Sequence, residues 1–220
     1  FGLPILHKLM QGPRGKVRAL VLAPTRELAE QIHVALGQFG QRTGLRSATV
    51  YGLSPAMRLD LVANNLVGWA LTTGTIRLES DGSPWRPLVH VEDVARAYIA
   101  ALEAPQESVQ NEAFNVGRDD QNFQVREIAD IVRQAVPGCL VELAPNAGPD
   151  ARSYRVSFAK AARNLPGFQP QWTLEAGVER VVEFVRKSHL TWEEFQGHRY
   201  NRLVQLRRLM DTGQLDGELH

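Results

Sequence analysis

The sequence predicts an α/β fold, opening with a partial Rossmann-like strand-helix-strand unit and continuing into a smaller α/β part. Three observations carry this. Runs rich in β-branched residues alternate along the chain with stretches whose apolar residues recur at helical spacing. Two of those runs, Val17 to Ala23 and Ser47 to Tyr51, bracket one such helix, and consecutive strands joined by a helix pair in parallel with a right-handed crossover. Glycine or proline stands at nearly every change of pattern.

In order, residues 1–11 read as the end of an apolar helix, and Gly12-Pro13-Arg14-Gly15 is loop chemistry. Pro24 closes the first strand and Thr25 caps a helix whose apolar positions are Leu28, Ile32, Ala35, Leu36 and Phe39, ending at Gly40. Gly44 restarts the chain before the second strand. A helix carrying Met57, Leu61, Asn65, Leu66 and Trp69 ends near Gly74, a strand follows at Ile76 to Leu78, and Gly82-Ser83-Pro84 turns the chain. Leu88 to Val91 is extended, and Glu92 and Asp93 stand where carboxylates favour the start of a helix, here Val94 to Leu102. The spacing then gives a strand at Ala113 to Val116, a helix with Val125, Ile128, Ile131, Val132 and Val136, a strand at Leu140 to Leu143, a helix from Thr173 to Lys187, and a final amphipathic surface helix from Arg199 to Met210.

Composition narrows the class of molecule. Of 220 residues, 44% are hydrophobic and 22% charged, an ordinary globular balance, and no apolar run approaches the length of a membrane span. The single cysteine, Cys139, forms no bridge within the chain, so a reducing cytoplasmic setting is expected. The chain opens at Phe1 and reads as a fragment. The net charge of +1 is unevenly spread: residues 1–52 hold seven basic side chains against Glu27 and Glu30, a net +5, which leaves −4 for residues 53–220. A basic front attracts a polyanion or simply solvates a small α/β unit.

Phe1-Gly2-Leu3-Pro4-Ile5-Leu6 and Pro24-Thr25-Arg26-Glu27-Leu28-Ala29 give residues 1–52 a second character. They resemble the first RecA-like domain of DEAD-box RNA helicases, the first run following the phosphate loop and the second matching motif Ia. The resemblance implies that Thr25 and Arg26 lie on an RNA backbone, where a hydroxyl and a guanidinium satisfy phosphate oxygens without reading bases. ATP hydrolysis needs a phosphate loop, a carboxylate for magnesium and an arginine for developing charge. Gly12 to Lys16 is too short for that loop, lacks the hydroxyl residue at Val17 and precedes a strand. No Asp-Glu-Ala-Asp run is present.

The rest of the chain carries Arg46-Ser47-Ala48-Thr49-Val50-Tyr51-Gly52, Asn64-Asn65-Leu66, Arg86 to Ala95, Phe114-Asn115-Val116-Gly117 and Leu165-Pro166-Gly167-Phe168. Together these resemble the C-terminal part of the NAD-dependent epimerase/dehydratase family, extended short-chain dehydrogenases acting on nucleotide-linked sugars. The fold so implied is the smaller α/β substrate-binding part of an extended short-chain dehydrogenase. Ala48 to Gly52 fits both parents, whereas Leu53 stands where a helicase would place glycine, so a junction is expected between about Gly44 and Gly52. The expected organisation is a helicase-like segment over 1–52, a substrate-binding region over 53–190 and a helical tail over 191–220.

Position by position, the epimerase resemblance implies a substrate contact at Thr49, where the family has an asparagine-like residue, and a nucleotide pocket lined by Asn65 and Leu66. It puts Arg86 on the substrate diphosphate, a role suited to a forked guanidinium, and Asp150 and Tyr154 near the nucleotide and sugar. A second diphosphate arginine would fall at Ala147, so Arg152 or Arg155 would have to substitute. Plainer roles stand beside these: Arg86 pairing with Glu92 or Asp93, Asn65 as a buried hydrogen-bonding residue, Tyr154 as core, and His90 as a core histidine rather than a base.

The family's chemistry takes a hydride to NAD while a tyrosine, made acidic by a lysine four positions on, removes a proton. Four places after Tyr51, Tyr98, Tyr154 and Tyr200 stand Pro55, Leu102, Phe158 and Val204. No glycine fingerprint for the coenzyme, His-x-x-x-His metal pair or serine nucleophile elbow occurs. The expectation is thus an inactive substrate-binding portion, with a nucleotide sugar as partner, NAD implied only by family, and weak RNA binding through Thr25 and Arg26 as the rival. Oligomeric state is left open.

Overall fold

The computed structural model describes residues 49–53, 57–110, 112, 114–148 and 153–215. The strand at 17–23, the helix at 28–39, and Thr25, Arg26, Asp150 and Arg152 lie outside the described residues.

Two small sheets form the frame. In the first, β1 (Thr49–Tyr51) runs parallel to β3 (Trp85–His90), with Thr49 opposite Leu88 and Tyr51 opposite His90, and β4 (Asn122–Gln124) pairs antiparallel on the other side of β3, Phe123 opposite Arg86. In the second, β2 (Thr75–Ser80) runs parallel to β5 (Leu140–Gly148). Helices α1 (Val62–Thr73), α4 (Val125–Ala135) and α6 (Leu174–Ser188) pack with β2 around a core in which Val67, Ile76, Leu88, Ile128, Val132 and Leu174 are wholly buried. Each such side chain contributes about 1.5–3 kcal/mol by leaving water. The remaining helices are α2 (Val91–Glu103), α3 (Gln106–Val109), α5 (Ala159–Asn164), α7 (Trp192–Gln196) and α8 (Arg202–Asp211).

The expected α/β class holds, with local differences. Helix α1 ends at Gly74, which adopts the left-handed φ of 73° that favours glycine, but it begins only at Val62, so Met57 and Leu61 precede it. The cause is visible in the first turn: Asn64 Nδ2 donates to the Arg58 carbonyl at 2.8 Å and Asn65 Nδ2 to the Leu59 carbonyl at 2.9 Å, holding 58–59 in a non-helical path. Val91 is the first residue of α2 rather than the end of a strand. The strand expected at 113–116 is absent over 114–116. There Asn115 Nδ2 bonds the Ser157 carbonyl at 3.1 Å, and Gly117 turns at φ 151° with the Phe158 ring 2.7 Å from where a Cβ would stand. A side chain thus supplies the pairing that a ladder would have made.

Residues 191–200 pack against α1. Trp192 lies 4.7 Å from Trp69, Phe195 is buried, and Leu59 N donates to the Tyr200 carbonyl at 2.9 Å. Helix α8 has no buried residue, as a surface helix should.

Candidate functional site

The site gathers around Arg86 at the start of β3. The segment 153–158 is irregular and runs beside β3 and β4, fastened by side chains. Trp85 N donates to Ser153 Oγ at 3.1 Å, and Tyr154 N donates to the Trp85 carbonyl at 3.4 Å. Asn122 grips Val156 twice, its Nδ2 donating to the carbonyl at 3.0 Å and its Oδ1 accepting from the amide at 2.8 Å; Phe158 N donates to Asp119 Oδ1 at 2.6 Å. Tyr154 is held at Arg86's neighbour by this zipper. Arg86 Nη1 itself donates to the Trp85 carbonyl at 2.9 Å, which restricts the guanidinium.

Strand alternation places Arg86 on one face of β3 with Leu88 and His90, and Trp85 on the other. The Arg155 guanidinium carbon lies 4.6 Å above the Trp85 ring, so Arg155 sits on the face opposite Arg86. It is therefore poorly placed to replace the arginine missing at Ala147. Arg152, the other substitute, lies outside the described residues, as does Asp150. Thr49 is at the start of β1, opposite Leu88. Asn65 is half-buried and bonded to Leu59, and Leu66 is 4% exposed within the core. The Tyr154 backbone thus lies beside Trp85, the neighbour of Arg86 in sequence, and Asn65 and Leu66 anchor α1.

Sequence reasoning missed a second fastening, on the other end of β3. Asp93, 2% exposed, accepts from Arg96 Nη1, Gln171 N and Trp172 N, each at 2.9 Å. Glu92 accepts from Arg180 Nη1 at 2.6 Å and from the Trp172 indole at 3.2 Å. Burial raises the Glu92 carboxyl, but the Arg180 charge and hydrogen bond outweigh it and hold the group below the usual range. Among the described residues the ion pairs of Glu92 and Asp93 are with Arg96 and Arg180, not Arg86. His90 is 1% exposed, stacks on Trp172 at 3.9 Å, and its Nδ1 accepts from Glu92 N at 3.2 Å, capping α2. Burial pushes its pKa down, so it is the neutral core histidine the sequence suggested. A His followed by two acids at a strand end was the available signal for this capping role.

A shallow depression of about 180 Å³ lies beside this fastening, lined by His90, Asp93, Arg118, Gln121 and Trp172 among others. Among the described residues no cluster of three metal-ligating side chains occurs, and no helix is long and apolar enough to cross a membrane.

A dinucleotide pyrophosphate needs a glycine turn leading from a strand into a helix N-terminus. Of the described glycines with positive φ, Gly52 follows β1, but α1 begins only at Val62. A Cβ at Gly52 would fall 2.5 Å from His90 Nε2, so the imidazole already fills that approach. Among the described residues no glycine of positive φ leads from a strand directly into a helix N-terminus.

Residues 27–117 match the model of the NAD dependent epimerase/dehydratase family. The UDP-glucuronate 4-epimerase of Thermodesulfobacterium geofontis is 24% identical over 155 residues, covering 66% of this chain and 43% of that protein. The crystal structure of UDP-glucuronic acid 4-epimerase from Bacillus cereus, in complex with UDP-glucuronic acid and NAD, superposes with a TM-score of 0.58 at 19% identity, over 80% of this chain and 58% of that one. The fold is thus Rossmann-like α/β, and the chain spans about half the length of these two proteins. The ATP-dependent RNA helicase DBP3 of Cryptococcus neoformans is 41% identical over 64 residues, covering 24% of this chain and 11% of the helicase. The epimerase match begins at Glu27, within the helicase-like stretch 1–52.

Proposed function

We propose that this chain is the substrate-binding portion of an NAD-dependent nucleotide-sugar epimerase or dehydratase. In this reading residues 53–190 hold the nucleotide sugar, Arg86 takes the diphosphate and Tyr154 packs on the nucleotide or sugar. Thr49, Asp150 and Arg152 complete the pocket, and residues 1–52 are a helicase-like segment joined between about Gly44 and Gly52. The observation that carries it is the placement of Tyr154 against Trp85, next to Arg86, by the Asn122 and Asp119 clamps. A guanidinium restricted by its own strand's carbonyl loses little entropy on meeting a diphosphate. NAD is the coenzyme that the family likeness implies. With no Tyr-x-x-x-Lys and no glycine fingerprint in the sequence, the isolated chain is expected to bind without turnover. No observation on the described residues favours the RNA reading.

The test is calorimetric titration with UDP, UDP-glucose and UDP-glucuronic acid, with Arg86→Ala as control, beside an assay for NADH formation. Binding that falls at least about 10-fold in Arg86→Ala, as loss of a charge-assisted pair predicts, supports the reading. No heat with any of the three refutes the pocket, and NADH production refutes the claim of inactivity.

A further inference from the structure

Two helices of this chain each leave an apolar stripe in water. On α2 it is Ala95, Tyr98, Ile99 and Leu102, at the i, i+3, i+4, i+7 spacing of one helix face, with Tyr98 37% exposed, Ile99 56% and Leu102 72%. On α8 the same spacing is met by Leu203, Leu206, Arg207 and Met210, with Leu203 63% and Met210 41% exposed, Arg207 exposed and Leu206 half-buried. The surroundings of the two stripes differ in sign. Residues 91–109 hold Glu92, Asp93, Glu103 and Glu107 against Arg96, a net −3, whereas α8 holds Arg202, Arg207 and Arg208 against Asp211, a net +2. Among the described residues Glu103, Glu107 and the three arginines of α8 are in no ion pair.

We infer that α8 of one copy of this chain docks on the α2 stripe of a second copy. Both stripes are exposed within one copy, so neither is the other's cover there. Helix α8 is instead fastened beside the start of α1, where Asp60 Oδ2 accepts from Arg202 N at 3.2 Å. The two faces match in period and in length, about 10.5 Å from first to last residue at the helical rise, so their side chains can mesh as ridges into grooves. Charge selects the partner. Pairing α2 with α2 sets one net −3 region against another, and pairing α8 with α8 sets +2 against +2, and like charges across an interface oppose association. Only the mixed pair brings Arg207, which lies within the α8 stripe, toward Glu103, which borders the α2 stripe next to Ile99. The contact is heterologous, made by two different faces of the same chain.

Sedimentation equilibrium of the full chain tests this. Two helix faces of this size make an interface of the small, transient class, below about 1,200 Å², so the measurement runs up to about 1 mM protein. The weight-average mass should rise with concentration, and rise less as salt is added. Leu102→Asp on α2 and Leu203→Asp on α8 should each raise the dissociation constant at least about 10-fold, as should Glu103→Arg and Arg207→Glu, which set like charges against each other. An equal mixture of the Glu103→Arg and Arg207→Glu chains restores opposite charges in both cross-contacts and should associate more tightly than either variant alone. A monomer mass at every concentration would overturn the inference. So would dissociation by Leu102→Asp with no effect of Leu203→Asp, which indicates another occupant of α2, or a mixture no tighter than its components. Circular dichroism checks each variant, and should the aspartate variants not fold, the charge pair at the exposed positions 103 and 207 decides alone.

Discussion

Removing the Asp93 carboxylate should unfasten the chain at 171–172 from the start of α2. The buried carboxylate accepts from the Gln171 and Trp172 amides at 2.9 Å each and pairs with Arg96. In Asp93→Ala both part-buried amides lose their acceptor, at about 1–3 kcal/mol apiece. The Arg96 pair adds little, because that guanidinium is 34% exposed and such pairs are worth about 0–1 kcal/mol. A total of about 2–7 kcal/mol follows, and at about 2–4 °C per kcal/mol for a chain of this size the midpoint of thermal unfolding should fall by roughly 4–28 °C. Asp93→Asn keeps one acceptor oxygen and should lose about half as much. Differential scanning calorimetry gives the shift, and Trp172 emission, isolated by subtraction of a Trp172→Phe control, reports whether the indole leaves its stack on His90 at 3.9 Å. A fall under about 2 °C with unchanged emission would show that the carboxylate does not hold this segment.

His90 is held below its ordinary pKa by burial, so the unfolded chain binds the proton first as pH falls; stability is full above the unfolded pKa near 6.5 and drains below it. Thermal midpoints between about pH 5 and 8 should therefore drop on acidification in the natural chain and drop less in His90→Asn, which keeps a capping oxygen but cannot titrate. In Gly68→Ala the new Cβ would lie 2.2 Å from the Phe195 ring, and overpacking of about 1–3 kcal/mol, partly offset by better helix propensity, should destabilise by about 1–2 kcal/mol in denaturant titration. Asn122→Ala frees the Val156 amide and carbonyl and should weaken UDP binding by about 10-fold with unchanged helical circular dichroism, since the lost bonds of about 1 kcal/mol each lie in the 153–158 segment; undiminished affinity would show that Tyr154 is positioned without them.

Much of the fold was legible because it rests on periodicity. The stripe of α4, the glycine stop of α1 and the acids opening α2 are short-range signals, and each appears where the sequence puts it. The capping box of α7, Thr191 with Glu194, was also present as a Thr-x-x-Glu pattern, but five helical residues leave too little apolar period to notice. Phe114 to Val116 misled because β propensity describes a residue's fit to a pleated surface, not the presence of a partner strand. In the site, an extended run could be read from local sequence only at Leu88 to Val91, short of Arg86. The proximity of Tyr154 to Trp85 could not be read, since it depends on Asn122 reaching Val156 across 34 positions and Asp119 reaching Phe158 across 39. Such polar clamps have no period.

The two fastenings also explain how the segments at the rim of β3 keep their shape. The three described strands of this sheet are short and offer few ladder bonds, so the irregular segments beside them are placed by side chains instead: Ser153, Asn122 and Asp119 for the segment bearing Tyr154, Asp93 and Glu92 for the segment bearing Trp172. Every one of those bonds joins residues beyond Gly52. Geometry around Arg86 thus rests on side-chain bonds to the neighbouring segments and not on sheet ladders alone.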